Sequence, residues 1–117
     1  MNRTPEQQNR FNQLVLQAGK QPETLNHEYE SAFFIMSIHK ELFLKVGSYV
    51  DETGIDFERC LEEQEFSAGF RVLVMLAHNL FNDGSDKELS PADLMILDKS
   101  NFLAALEAIR IRGSKIW

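Results

Sequence analysis

The chain has 117 residues, of which 44% are hydrophobic and 26% are charged, and its formal net charge is −6. This length and composition are typical of one globular domain over residues 1–117 rather than of a disordered chain. The acidic balance makes duplex DNA a poor partner, because non-specific affinity for DNA comes mainly from neutralising phosphates.

Cysteine content and hydrophobic runs predict a cytoplasmic protein. Cys60 is the only cysteine, so neither an intramolecular disulfide nor a cysteine-based zinc site can form. The longest wholly apolar run, 72–77, is far shorter than the roughly 20 residues of a membrane span. The N-terminus lacks the apolar core of a signal peptide. We expect neither secretion nor membrane insertion.

Helix caps and apolar spacing predict three helices in the first half of the chain. Thr4 is a suitable N-cap for the first helix, Pro5 suits its first position, and Gly19 is a suitable end. A second helix is expected over about residues 25–38. A short break at 37–40 then precedes a third helix and an extended connection at 49–51.

The next two predicted helices are a short fourth one, capped by Asp56, and a fifth one, capped by Ser67. Apolar residues cover nearly the whole circumference of the fifth helix. We therefore expect this helix, about residues 68–81, to lie at the centre of the fold.

A turn at 82–85 and two further helices complete the predicted elements. The sixth helix is short and opens at Ser90 and Pro91, and the seventh runs over about 99–112. Its predicted inward face consists of Phe102, Ala105, Leu106 and Ile109. The result is an all-α, compact single domain with about seven helices around the central apolar helix.

Three segments carry a resemblance to known proteins: 31–43, 60–82 and 90–112. Together they resemble a family of short, uncharacterised helical proteins that recur in Gram-positive bacteria, their prophages and other mobile elements. The resemblance covers about residues 27–112. It implies a bacterial or phage cytosolic protein and brings no known activity, cofactor or site residue with it.

The sequence shows no catalytic or cofactor-binding signature. His27, His39 and His78 have no second histidine at the spacing of metal ligands. Cys60 has apolar neighbours at helical spacing, which is more typical of a core residue than of a nucleophile. We expect no enzyme activity, no cofactor and no metal site.

Residues 51–65 carry seven acidic side chains against one arginine, a net charge of −6. The predicted partner surface consists of Asp51, Glu52, Asp56, Glu58, Glu62, Glu63 and Glu65. Such a run is often only a solvated face, but it also offers a surface to a basic partner. Our leading hypothesis is a noncatalytic regulatory or adaptor-like protein that acts through contacts with an unknown protein or through self-association.

A small-ligand pocket or an enzyme site is the first alternative. It would be built from Arg71, His78 and Asn79 on the fifth helix. This hypothesis requires the three side chains to converge on one solvent-reachable cavity.

Nucleic-acid binding by the last two helices is the second alternative, because their arrangement imitates a helix-turn-helix. The basic residues Arg110, Arg112 and Lys115, however, lie past the N-terminal turns that normally enter the groove. We therefore expect nucleic acid not to be the partner.

The C-terminus carries the apolar side chains Ile116 and Trp117. Leaving them in water would forgo roughly 1.5–3 kcal/mol for each large side chain. We expect them either to fold back over the core or to insert into a second copy and form a homodimer.

Overall fold

The computed structural model describes residues 3–81 and 89–114, which form six α-helices, two short 3₁₀ helices and one two-stranded hairpin. The α-helices are α1 (Pro5–Gln17), α2 (His27–Ile38), α3 (Lys40–Gly47), α4 (Phe57–Glu63), α5 (Ala68–Phe81) and α6 (Lys99–Gly113). The 3₁₀ helices are Pro22–Thr24 and Pro91–Ile96, and the hairpin pairs β1 (Val50–Asp51) with β2 (Gly54–Ile55). The all-α fold class is confirmed, while the hairpin replaces the predicted extended connection.

Five helices begin at a side chain that accepts a hydrogen bond from the backbone N–H three residues later. Three of these N-caps were predicted, and they are Thr4, Asp56 and Ser67, with distances of 3.1 to 3.2 Å. The other two are Asn26 before α2 and Asp98 before α6, at 2.9 and 2.8 Å. Each cap binds one of the N–H groups that the first helical turn leaves without a partner.

Gly19 ends α1 in the left-handed conformation, with φ of 68°. The N–H of Lys20 donates to the carbonyl of Val15 at 3.1 Å, which closes the last turn. A Cβ on Gly19 would lie 3.1 Å from Cγ of Glu52, so the hairpin leaves little room there. Glycine is therefore required by both its conformation and its surroundings.

The centre of the fold is α2, not α5 as the sequence predicts. This helix packs against α1, α3, α5 and α6, and all its residues from 31 to 37 are buried. Ser31 and Ser37 are buried because their hydroxyls donate to backbone carbonyls three residues earlier, at 3.1 and 3.0 Å. Helix α5 is mostly buried, as expected, but it lies beside α2.

Side chains from other helices contact backbone carbonyls near the C-terminal ends of four helices. Arg10 of α1 donates to the carbonyls of Ser37 and Ile38 at the end of α2, at 2.8 and 3.0 Å. In three similar contacts, Gln17 binds a backbone carbonyl of α3, Arg112 binds one of α5 and His27 binds one of α6, at distances between 2.5 and 2.9 Å. These contacts tie neighbouring helices together at ends where carbonyls run out of partners within the helix.

Only part of the predicted inward face of α6 is buried: Ala105 is in the core and Phe102 packs against it, whereas Leu106 and Ile109 do not. The buried residues of α6 are Asn101, Ala104, Ala105, Ala108 and Ile111. Leu106 and Ile109, which we expected in the core, are 44% and 40% exposed. Small alanine side chains allow α6 to lie close to α2, and the larger side chains remain outside.

Two predictions fall outside the described residues. These are the turn at 82–85 and the burial of Ile116 and Trp117.

Candidate functional site

Large apolar side chains are exposed along one side of α6 and on the 3₁₀ helix before it. Met95 is 66% exposed and Leu103 is 46% exposed. Leu106 and Ile109 are exposed to nearly the same extent as Leu103. We call these four residues the α6 apolar face. A folded protein gains stability by removing such side chains from water, so a group of them on one helix indicates a surface that something else covers.

A groove of about 320 Å³ runs between α6 and the 3₁₀ helix Pro91–Ile96. It is lined by Leu76, Leu89, Ser90, Pro91, Leu94, Met95, Phe102, Leu106 and Ile109. A second hollow on α6 is lined by Leu103, Leu106, Glu107 and Arg110. Leu106 belongs to both, so the α6 apolar face is one continuous surface.

The local sequence explains why this groove is open. Phe102, Leu106 and Ile109 follow each other at helical spacing and form one side of α6. Ala104 and Ala108 form the opposite side and are 2% and 0% exposed. The helix therefore has two apolar sides, and the domain buries the one with the smaller residues.

Two charged residues of α6, Glu107 and Arg110, lie beside the α6 apolar face and pair with each other. The hydrogen bond from Arg110 lowers the pKa of Glu107, which keeps this carboxylate ionised and paired at neutral pH.

The seven acidic residues of the predicted partner surface are all exposed, on the hairpin and on and around α4. Asp51 accepts hydrogen bonds from Thr53, and Glu63 accepts one from the Tyr49 hydroxyl at 2.7 Å and pairs with Arg59 at 3.1 Å. These bonds lower the pKa of both carboxyl groups, so they hold their negative charge at neutral pH. The structure therefore places the predicted acidic residues on an accessible surface.

Two polar hollows lie elsewhere. One, of about 400 Å³, is formed by the hairpin and the start of α4. The other, of about 540 Å³, lies between the start of α1 and α6 and contains two arginines, Arg3 and Arg110, and two glutamates, Glu30 and Glu107. Because its charges balance, the second hollow favours neither an anion nor a cation.

Arg71, His78 and Asn79 occupy different environments on α5. Arg71 is exposed, whereas His78 is only 4% exposed and stacks on the ring of Phe57 at 5.1 Å. The amide of Asn79 donates to the carbonyl of Met75 within the same helix at 3.0 Å. This arrangement gives no support to a pocket shared by the three side chains.

The predicted sixth helix is the 3₁₀ helix Pro91–Ile96, so the last two helices are not a pair of α-helices. Lys99 is the one basic residue in the first turns of α6, and the exposed side of the helix continues with Leu103, Leu106 and Ile109. A recognition helix normally presents donors and basic groups there. The geometry therefore favours an apolar partner for α6.

A family model of unknown function, DUF6075, matches residues 3–115. The chain therefore belongs to the DUF6075 family. This agrees with the resemblance to uncharacterised helical proteins that the sequence shows. No curated protein and no solved structure matched the chain.

The remaining candidate groups of this DUF6075 domain have structural partners. Burial raises the pKa of the Cys60 thiol to about 11, so the group is a protonated core residue at neutral pH. His39 bonds to Asn101 at 2.7 Å and stacks on Phe70.

Within residues 3–81 and 89–114, no three His, Cys, Asp or Glu side chains lie close enough together to hold a metal ion. None of the helices in that part of the chain has the length and hydrophobicity needed to cross a membrane.

The α6 apolar face of this DUF6075 domain is a candidate site that was not predicted from the sequence. A signal for it is present, since two apolar stripes run along the same helix, one of alanines and one of larger residues. Hydrophobicity alone ranks leucine and isoleucine above alanine as core residues, and this ranking wrongly placed Leu106 and Ile109 in the core.

Proposed function

We propose that this DUF6075 protein is a noncatalytic regulatory or adaptor-like protein that binds another protein through the α6 apolar face. The observation that carries the proposal is the exposure of Met95, Leu103, Leu106 and Ile109 on one continuous surface. Their exposed fractions together equal about two fully exposed residues, on the order of 400 Å². Patches of that size on a monomer are often functional.

Burial of the α6 apolar face against a partner would be energetically favourable. Full burial of a Leu, Ile or Met side chain contributes about 1.5–3 kcal/mol, so the half-exposed side chains still have on the order of 1 kcal/mol each to gain. The centre of the face carries no unpaired charge, because Glu107 and Arg110 pair with each other. An apolar centre depleted of charge is characteristic of protein interfaces.

The acidic surface of the hairpin and α4 supports a second contact, to a basic partner. All seven carboxylates are exposed, and Arg59 is the only cation within residues 51–65. Such a contact would accelerate association and weaken as salt screens it. Measuring association at low and high salt separates it from binding through α6, which depends much less on salt.

We also propose that the protein works in the cytoplasm of a bacterium, encoded by the host or by a phage or mobile element. The resemblance of residues 27–112 and the single buried cysteine support this setting.

Site-specific photocrosslinking tests the proposed binding face. A photoreactive phenylalanine analogue replaces Leu103 in one variant and Leu16, which is 78% exposed on α1, in a control variant. We expect position 103 to give a defined cross-linked protein product that position 16 does not give. Introducing Leu106→Glu should abolish that product. Equal cross-linking at both positions, or a product that Leu106→Glu leaves unchanged, would refute the proposal.

A further inference from the structure

We propose that the partner of the α6 apolar face is a second copy of this chain, bound so that two α6 helices pack antiparallel around a twofold axis at Leu106. This inference rests on the proposed function and names the partner of the same surface. It requires the face to be complementary to itself, because a twofold interface brings the same patch together from both subunits.

The order of apolar residues along α6 is symmetric about Leu106. Leu103 lies three residues before it and Ile109 three residues after it, and all three are 40% to 46% exposed. In an antiparallel pair centred on Leu106, Leu103 of each copy faces Ile109 of the other. Each of these three side chains then contacts an apolar side chain of the other copy.

The groove supplies shape complementarity to this arrangement. Ile109 and Leu106 line the groove, whereas Leu103 lies outside it on the neighbouring hollow. Antiparallel packing brings Leu103 of one copy to the groove of the other at Ile109. A volume of about 320 Å³ leaves room for such a side chain. Under a twofold axis, the exposed Leu103 of each copy is thus opposite the groove of the other.

The size of the face fits a dimer. A standard interface covers about 800 Å² on each partner, and about 65% of a homodimer interface is apolar. The exposed area of the α6 apolar face, on the order of 400 Å², supplies most of the roughly 500 Å² of apolar surface that this requires.

The charges on α6 do not oppose this packing. Between Leu103 and Ile109 the only charged residue is Glu107, and it pairs with Arg110 of its own helix. Antiparallel helices also place opposite ends of their dipoles side by side. The proposed interface therefore buries no isolated charge at its centre.

Sedimentation velocity of the full chain over a range of about 1 to 500 µM tests the inference. We expect the wild-type mass to rise from the 13.5 kDa of the monomer to twice that value. Leu106→Glu should weaken the dimer by at least about 100-fold, because the twofold axis places the two new carboxylates against each other. Leu16→Glu, which adds the same charge at an exposed leucine of α1, should leave the dimer unchanged.

A charge-pairing experiment identifies the twofold axis directly. Leu106→Glu and Leu106→Lys should each sediment as a monomer alone, and their mixture should form a one-to-one dimer. This result requires residue 106 of one copy to lie beside residue 106 of the other. Circular dichroism of both variants checks their fold, and recovery of the dimer on mixing excludes misfolding as the cause of its loss.

Four results would overturn the inference. A wild-type chain that stays monomeric over the whole range has no second copy on this face. If it dimerises only after truncation at Ser114, residues 115–117 cover the face instead. Equal weakening by Leu16→Glu and Leu106→Glu places the dimer interface elsewhere. A monomer that still gives a cross-link from position 103 to a different protein refutes the dimer while leaving the proposed function standing.

Discussion

Arg10 is predicted to be a major stabilising residue, although it is a charged, half-buried residue of α1. Its guanidinium donates to the carbonyls of Ser37 and Ile38, the last residues of α2, at 2.8 and 3.0 Å. The charge also lies at the negative end of the α2 dipole. Arg10→Met keeps much of the aliphatic stem and removes both hydrogen bonds and the charge.

The expected loss follows from these contacts. A hydrogen bond to a charged group contributes about 1.5–3 kcal/mol, and the half-buried position of Arg10 lets water replace part of what two such bonds supply. We therefore expect Arg10→Met to lower the free energy of unfolding by about 2 kcal/mol. For a domain of this length, that loss corresponds to a decrease in Tm of roughly 6–12 °C.

Urea unfolding followed by circular dichroism measures this loss, with Arg59→Met as the matched control. Arg59 forms an exposed ion pair with Glu63 one turn away, and such pairs contribute little to stability because water and salt screen them. Arg10→Lys should lie between the wild type and Arg10→Met, because lysine keeps the charge without the two-pronged geometry. If Arg10→Met and Arg59→Met lost the same stability within about 0.5 kcal/mol, side-chain capping of α2 would not stabilise the fold as argued.

Three further predictions concern local features. Gly19→Ala should lower the free energy of unfolding, measured in urea, by about 1–2 kcal/mol, because φ is 68° there and Glu52 lies close. Gly19→Asn should lower it less, since asparagine adopts positive φ more readily than alanine does. Equal losses in the two variants would show that the positive φ is not the cause. Burial raises the pKa of Cys60 to about 11, so the folded state keeps its proton above the pH at which the unfolded thiol loses it. The free energy of unfolding should therefore fall by about 2–3 kcal/mol between pH 9 and pH 11, and it should fall more steeply than in Cys60→Ala. Parallel pH profiles for the wild type and Cys60→Ala would show that ionisation of this thiol is not the cause. Asp56→Ala removes the N-cap of α4 and should cost about 1 kcal/mol, with Glu58→Ala as an exposed control that should change little.

Local signals in the sequence predicted where most helices begin and end. Thr4, Asp56 and Ser67 act as the expected caps, and Gly19 ends α1 as expected. These signals are reliable because a cap binds backbone groups only three or four residues away. The sequence also predicted the exposed acidic surface, since carboxylates are rarely buried without partners.

Long-range contacts explain what the sequence did not reveal. His39 and Asn101 are 62 positions apart and bond to each other, and Arg10 reaches the end of α2 across 27 positions. No short sequence pattern predicts contacts between residues this far apart in the chain. The central position of α2 likewise depends on packing against α1, α3, α5 and α6, which lie elsewhere in the sequence.

The sequence by itself determined an all-α domain, its main helix boundaries and the location of its acidic surface, because each depends on residues that are neighbours in the chain. Only the tertiary structure decided which side of α6 is buried. Both sides are apolar, and the choice depends on how closely another helix can approach. Ala104, Ala105 and Ala108 permit close packing against α2, so Leu103, Leu106 and Ile109 stay at the surface, where they form the candidate binding face.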